Sequence, residues 1–495
     1  MPFLVWKTIG GKKRLVMRWN KRVDGKPKVV KEIYIGDMEK LARIIEHPDR
    51  KVDAYSLSYG VTASILLIER DVQLKNIVNG IMGTNGSGMS PGDYFLLFIM
   101  NRLSDPESKN GIERWIRGDF ASTIYPKRGS QDYWNFMDRI TDGHMEMIMN
   151  MIKEKVLTMG YDFSRIFVDA SNMYTFMGEN EMAKKGHNKK HRYDLNQVSY
   201  YIGSNYDYIP LFWNSYAGNI HDSKTFPEMV KHMPENATII FDRGYNSKDN
   251  IDILKDRKYI GALILSDHKD LVDLQVGNDS FIETRKKVYG KDHRILVYHS
   301  SKLQNKRVRT FMKSFRKVYM KAKRLVESGD SDAMEQARFF LESKNLNETI
   351  ILPDMHINSE RMSHRIRMLG LNALFTNIED MQSNDIIDLY RKRNRVEHCF
   401  RTINTMSIAF PLYHWTPQKI KVHMFMSLLA YLFLSLLYNR IMKETDEISL
   451  ISTQDILKGI RVQYIIDGKD VKKTIDAKDP EQINICEKLN LISLA

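Results

Sequence analysis

Cysteine is nearly absent from this sequence. Its 495 residues include only Cys399 and Cys486, which excludes a disulfide framework and any thiolate-based zinc site. Such poverty fits a reducing, intracellular compartment, and the opening Met-Pro-Phe-Leu-Val-Trp-Lys has no signal-peptide pattern. Long apolar runs are also missing. The longest uncharged one extends only from Met424 to Tyr438. A membrane span needs more, about 20 residues, so the run reads as a buried core helix and no membrane partner is expected. Acids are the scarcer charge: 61 Asp and Glu face 75 Lys and Arg, a formal net charge of +14. The excess points to a polyanionic partner, with nucleic acid first. Repeats and low-complexity tracts are lacking, and the length calls for more than one domain, since domains run to about 100–200 residues.

What is present divides the chain. Residues 1–36 read as an N-terminal β arm, with Gly10-Gly11 and Asp24-Gly25 as hairpin turns between β-rich runs. From Met1 to Lys31 the chain carries ten Lys or Arg and one acid, with Trp6 and Trp19 among them. That suits a phosphate-gripping arm, and a solvated sheet face explains it as cheaply. Residues 37–160 have mostly helical periodicity and are expected to form a DNA-end-binding domain.

From 161 to 269 strands take over. Arg165 to Asp169 and Ala237 to Asp242 are short strands, each ending in an acid. Between them lie a basic loop (184–192), two strands and a helix. The order β(Asp)-β-β-α-β(Asp)-α-β is that of the ribonuclease-H-like α/β fold, which helices then complete.

Residues 270–370 interrupt this core as a basic insertion domain. Within it, Lys302 to Arg324 holds ten Lys or Arg and no acid, with Phe311, Phe315 and Tyr319 spaced as one helical stripe. Arg307, Arg309 and Lys313 are its candidate phosphate contacts; the bland alternative is a solvated basic face. Residues 371–440 return to the core, and 441–495 form a C-terminal tail with a hairpin turning at Asp467-Gly468.

The stretch Tyr390 to Asn404 is expected to be one helix, since no Gly or Pro follows until Pro411. Tyr390, Arg393, Glu397 and Asn404 then lie within roughly 60° of one another. Alone, such a face would be a solvated charged surface. With Asp169 and Asp242 upstream it reads differently. Two strand aspartates side by side can bridge one ion, and a facing helix glutamate can hold a second. Two Mg²⁺ (or Mn²⁺) ions so held would activate a nucleophilic oxygen and stabilise the leaving oxygen of an in-line phosphoryl displacement. Asp169, Asp242 and Glu397 are therefore the expected catalytic residues and metal ligands.

This conjunction resembles the DDE transposases of insertion sequences, in particular the prokaryotic group with a Tyr-x2-Arg-x3-Glu-x6-Lys signature. Tyr390, Arg393 and Glu397 match it; Asn404 stands where the Lys would be. Asp242-Arg243-Gly244-Tyr245, Gly218-Asn219-x-x-Asp222, Asp194-x-x-Gln197 and Asn101-Arg102-Leu-x-Asp105-Pro106 are similar too. The resemblance runs over roughly residues 1–480 and is sharpest over 160–265 and 370–440. It implies an enzyme that binds the terminal inverted repeats of a mobile element as a dimer. Such an enzyme cleaves there and joins the 3′-hydroxyls to target DNA, so the partner is double-stranded DNA in the nucleoid-associated cytoplasm. By the same resemblance Tyr390 and Arg393 grip the phosphate beside the scissile bond. Asn404 brings no charge to its position, and Arg401, four residues after Glu397, is the candidate substitute. Asp222 is expected to be an N-cap. The competing readings are a metal-dependent nuclease of the same fold and a degenerate or domesticated DNA-binding protein.

Overall fold

The computed structural model describes residues 2–23, 26–38, 42, 45–46, 53–84, 86, 88–186, 192–328, 331–442, 449–467 and 470–494. The turn at Asp24-Gly25, the centre of the basic loop at 187–191 and Gly468 lie outside them. Two units divide the chain: 1–57 with 461–476, and 58–460 with 477–494.

In the first unit β1 (Phe3–Ile9), β2 (Lys12–Val23) and β3 (Lys26–Gly36) form an antiparallel sheet in that order. Gly10 and Gly11 take φ +60° and +77°, the left-handed pair that a two-residue hairpin turn requires. Glu32 accepts from both Lys7 (2.7 Å) and Arg18 (2.9 Å) across the sheet. A second sheet joins β4 (Asp53–Ser58) to strands Arg461–Asp467 and Asp470–Asp476, with Tyr55 stacked on Tyr464 at 4.8 Å. Thus 441–495 is not simply a tail, and 37–160 is not only helical. β4 is short and its partner strand comes from the opposite end of the sequence, so local pattern carries no signal for the pairing.

The second unit is built on an eight-stranded mixed sheet. Its strands are β5 (Arg165–Thr175), β6 (Asn196–Ser204), β7 (Pro210–Ala217), β8 (Thr238–Phe241), β9 (Tyr259–Leu263), β10 (Phe281–Val288), β11 (Lys291–His299) and β14 (Leu371–Thr376). The short β12 (Ile350–Ile351) and β13 (His356–Ile357) pair elsewhere. The sheet order is β10-β11-β14-β9-β8-β5-β6-β7. β5, β6 and β7 are antiparallel, whereas β5–β8 and β8–β9 are parallel. This half is compatible with a ribonuclease-H-like domain.

The insertion is not a separate body throughout. β10 and β11 extend the central sheet through β14, and β11 is buried at seven consecutive positions, His293 to His299, as a strand covered on both faces must be. Only the segment from helix Ser301–Glu327 through β13 departs, around a small core of Phe315, Val318, Ala322, Leu341 and Ile350.

Helix Pro417–Met442 runs through the core of this unit. It is long and apolar enough to cross a membrane, but 94% of its apolar window is buried inside the protein, so it serves as a core helix. Helix Pro91–Ser104 packs nearby, started by a Ser90–Asp93 capping box. A Cβ on Gly92 would meet the Lys75 backbone at 2.6 Å, so only glycine permits that approach to helix Leu74–Met82.

Arg294 fastens the sheet extension to the helix that follows β14. Its buried guanidinium makes a bidentate pair with Glu283 on β10 (2.8 and 2.9 Å) and donates to Ile378 O, Met381 O and Ser383 Oγ. Arg294→Met would leave two carbonyls without a donor. It is expected to lower stability by about 2–3 kcal/mol, measured as a fall in the urea midpoint; an unchanged midpoint would mean that solvent replaces those bonds.

Candidate active site

Parallel pairing of β5 with β8 matches Val168 to Phe241. Asp169 and Asp242 each come one residue later, so the register sets the two carboxylates side by side. Each is aimed by its own backbone: Asp169 Oδ1 accepts from Ala170 N and Asp242 Oδ1 from Arg243 N, both at 2.8 Å.

The expected single helix is two, Ser383–Arg391 and Asn394–Thr405. Between them Arg393 N, Arg395 N and Val396 N donate three residues back, to Tyr390, Lys392 and Arg393. This is a tightened 3₁₀-type turn, made without Gly or Pro. The second helix lies over the sheet face, with Phe400 edge-on to Tyr200 at 5.4 Å.

The turn delivers Arg393 into the centre of the acids. Its guanidinium lies 2.7 Å from Glu397 Oε1, 3.5 Å from Asp169 Oδ2 and 3.9 Å from Asp242 Oδ2. The Arg393 and Asp169 side chains are only 13% and 16% exposed, while Asp242 and Glu397 are 38% and 45% exposed. Burial alone would lower the Arg393 pKa, but the charges of Asp242, Asp169 and Glu397 outweigh it and the net shift is upward. Tyr390 Oη lies 3.5 Å from Asp242 Oδ1. Burial, then the Asp242 charge, raises its pKa, so it remains a neutral donor.

Asp242, Tyr390, Arg393 and Glu397 open onto a groove of about 1110 Å³, while Asp169 lies behind them and is not among its lining residues. Its lining includes Asp242, Glu397 and Tyr390, and the cations Arg243, Lys302, Lys306, Arg307, Arg391 and Arg393. Arg307 is held there by bonds to Leu369 O (3.0 Å) and Asn372 Oδ1 (3.3 Å). Arg309 and Lys313 are elsewhere, beside a separate apolar depression with Met312, Phe315 and Tyr319. The reason is helical geometry, since residues two apart point away from each other. Arg401 is exposed and Asn404 half-buried on the second helix; neither is among the groove-lining residues.

Three features escaped the sequence reading. Arg243, inside the Asp-Arg-Gly-Tyr motif, lines the groove, and its place beside Asp242 was the available signal. Tyr245 from the same motif is buried, and its hydroxyl has no partner among the described residues. Asp222 is not an N-cap: His221 holds that position, and Asp222 accepts from Tyr216 Oη at 2.9 Å.

Asp169, Asp242 and Glu397 are the residues that could hold a metal. Oxygen-only carboxylate donors suit Mg²⁺ or Mn²⁺, and their convergence on one cation fits that demand. Spaced around Arg393 as they are, they do not form a ready cluster; among the described residues no group of three or more His, Cys, Asp or Glu side chains does.

Two carboxylates on neighbouring parallel strands, a third on an overlying helix and a cationic groove make an arrangement whose chemistry suits phosphate esters. Residues 160–433, more than half of the chain, match the family model of the transposase DDE domain. The chain belongs to that family, whose members are transposases acting on DNA. No curated protein matches the sequence.

The split of the basic helix has a consequence. Arg307→Ala is expected to weaken DNA binding and make its salt dependence shallower by about 0.9, the value for one phosphate contact. Arg309→Ala with Lys313→Ala should change binding less. Filter binding across a salt series checks this, and a larger effect from the pair would place DNA on the far side of the helix.

Proposed function

We propose that this protein is an active insertion-sequence transposase, dimeric when synapsed on DNA. It binds the terminal inverted repeats of its element, hydrolyses phosphodiesters there with two divalent ions, and joins the freed 3′-hydroxyls to target DNA in the nucleoid. The convergence of Asp169, Asp242 and Glu397 on Arg393 at the edge of the cationic groove carries the reading.

Asp169, Asp242 and Glu397 would hold the ions, which supply a deprotonated oxygen nucleophile and charge neutralisation at the leaving oxygen. The other groups act on the substrate. Tyr390 offers a neutral O–H and Arg393 a two-pronged cationic fork to the backbone phosphate beside the scissile bond. Arg393 must exchange its carboxylates for that phosphate. Its side chain suits the exchange because the guanidinium keeps its charge in either setting.

Asp169→Asn, Asp242→Asn and Glu397→Gln should each reduce end cleavage by about 10³-fold or more and leave end binding largely intact. Cleavage near the wild-type rate in any one of them removes that residue from the site. Joining of cleaved ends to a target plasmid separates a transposase from a nuclease of the same fold.

Asn404 supplies no charge where the matching signature has Lys, and neutral hydrogen bonds are about half as strong as charge-assisted ones. Arg401, one helical turn after Glu397 and exposed, is proposed to reach the DNA backbone instead. Arg401→Ala is expected to reduce cleavage more than Asn404→Ala, with weaker binding of DNA ends, and Asn404→Lys to be tolerated. Lost cleavage with unchanged binding would instead give Arg401 an orienting role on Glu397, and no effect on either would remove it from the mechanism.

A further inference from the structure

The N-terminal sheet lies outside the stretch matched by the family, and its strands are unequal. β1 pairs only with Lys12 to Arg18 of β2. Beyond that point β2 and β3 continue alone, matching Trp19 to Lys31, Asn20 to Val29, Lys21 to Lys28 and Arg22 to Pro27. The end of β2 from Trp19 to Val23 therefore runs on as a two-stranded ribbon, about 17 Å long at roughly 3.4 Å per residue.

The ribbon carries an unusual charge arrangement. Lys21 and Lys28 are direct cross-strand partners, and like charges placed opposite one another are destabilising. Directly paired residues share a sheet face, as do residues two apart on one strand, so Trp19, Lys21, Lys28 and Lys31 lie on the same side. A register shift between Trp19 and Asn20 is what lets Lys28 and Lys31, three apart, do so. Lys31 Nζ sits 5.2 Å from the Trp19 ring centroid. Lys21, Lys28 and Lys31 are exposed, and among the described residues no ion pair reaches them. The contrast with the three-stranded part is direct, because there Lys7 and Arg18 are neutralised by Glu32. Three exposed lysines gathered on one face next to an aromatic ring make a surface complementary to a polyanion.

A two-stranded β-ribbon is one of the two elements that the major groove of B-DNA, roughly 12 Å wide, admits. We propose that the β2–β3 ribbon beyond β1 is a duplex-DNA-binding element that enters the major groove, with Lys21, Lys28 and Lys31 neutralising phosphates along its walls. The proposal rests on the transposase reading for its choice of duplex DNA as partner.

The test uses the full chain carrying Lys21→Ala, Lys28→Ala and Lys31→Ala together, with circular dichroism to verify folding. Binding to a duplex containing the element's end is measured across a salt series. Affinity is expected to fall about tenfold or more at about 100 mM salt, with the log–log slope shallower by about 2.7, three phosphates at about 0.9 each. Methylating guanine N7, which faces the major groove, should interfere with wild-type binding over one short stretch, and that interference should vanish in the variant. An unchanged slope, an unchanged interference pattern, or an equal loss of affinity for single-stranded DNA overturns the proposal. Cleavage assays keep the two ideas apart. A wild-type chain that cleaves DNA while the variant binds normally sinks the ribbon alone. A chain that binds through the ribbon and cleaves nothing sinks the transposase reading alone.

Discussion

Three carboxylates cannot be gathered in a half-buried pocket without a cation among them, and that constraint organises the catalytic unit. Like charges brought together out of water oppose one another and favour protonation. Arg393 answers this with one guanidinium 2.7 Å from Glu397, 3.5 Å from Asp169 and 3.9 Å from Asp242. Removing one partner of such a buried cluster leaves uncompensated charge, the costly case for buried ions. The same positive charge that assembles the acids is the charge a divalent ion would supply, so this guanidinium defines the electrostatic demand of the site.

The rest of the unit serves that geometry. Parallel pairing of β5 with β8 puts two acids next to each other. The tight turn at 392–393 swings Arg393 inward while Glu397 stays on the helix over the sheet. Arg294 ties β10 and β11 to the start of the helix that bears Tyr390, so the extension of the sheet and the acidic centre share one rigid connection. The groove beside them pairs this acidic centre with cationic walls, so both signs of charge lie along one surface.

Much of this was legible in the sequence, for identifiable reasons. Asp169 and Asp242 could be found because local pattern marks β-rich runs leading into each acid; Asp242 does follow β8 directly, whereas the expected short strand ending at Asp169 in fact runs on to Thr175. Tyr390, Arg393 and Glu397 are expected on one face of a single helix; they do come together, but across a break between two helices. The helix break could not be read, since no Gly or Pro marks it and the turn shows only in its backbone hydrogen bonds three residues back. Nor could the division of the basic helix, where ten cations look alike in sequence but only those facing the core's edge reach the groove. The pairing of β4 with a hairpin near the other end of the chain, and the extension of the sheet by β10 and β11, are long-range events with no local signature. Asp222 illustrates a smaller failure: its position before a helix suggested a cap, while the hydroxyl of Tyr216 claims it.

The central claim is that the cluster around Arg393 is a divalent-metal site for phosphodiester chemistry. The most direct measurement is anomalous diffraction from crystals of the full chain grown with Mn²⁺ and a duplex bearing the element's end. The account predicts anomalous density among Asp169, Asp242 and Glu397, with the Arg393 guanidinium moved from the carboxylates to a DNA phosphate. Manganese bound elsewhere, with Arg393 still holding its three acids in the presence of DNA, would contradict it.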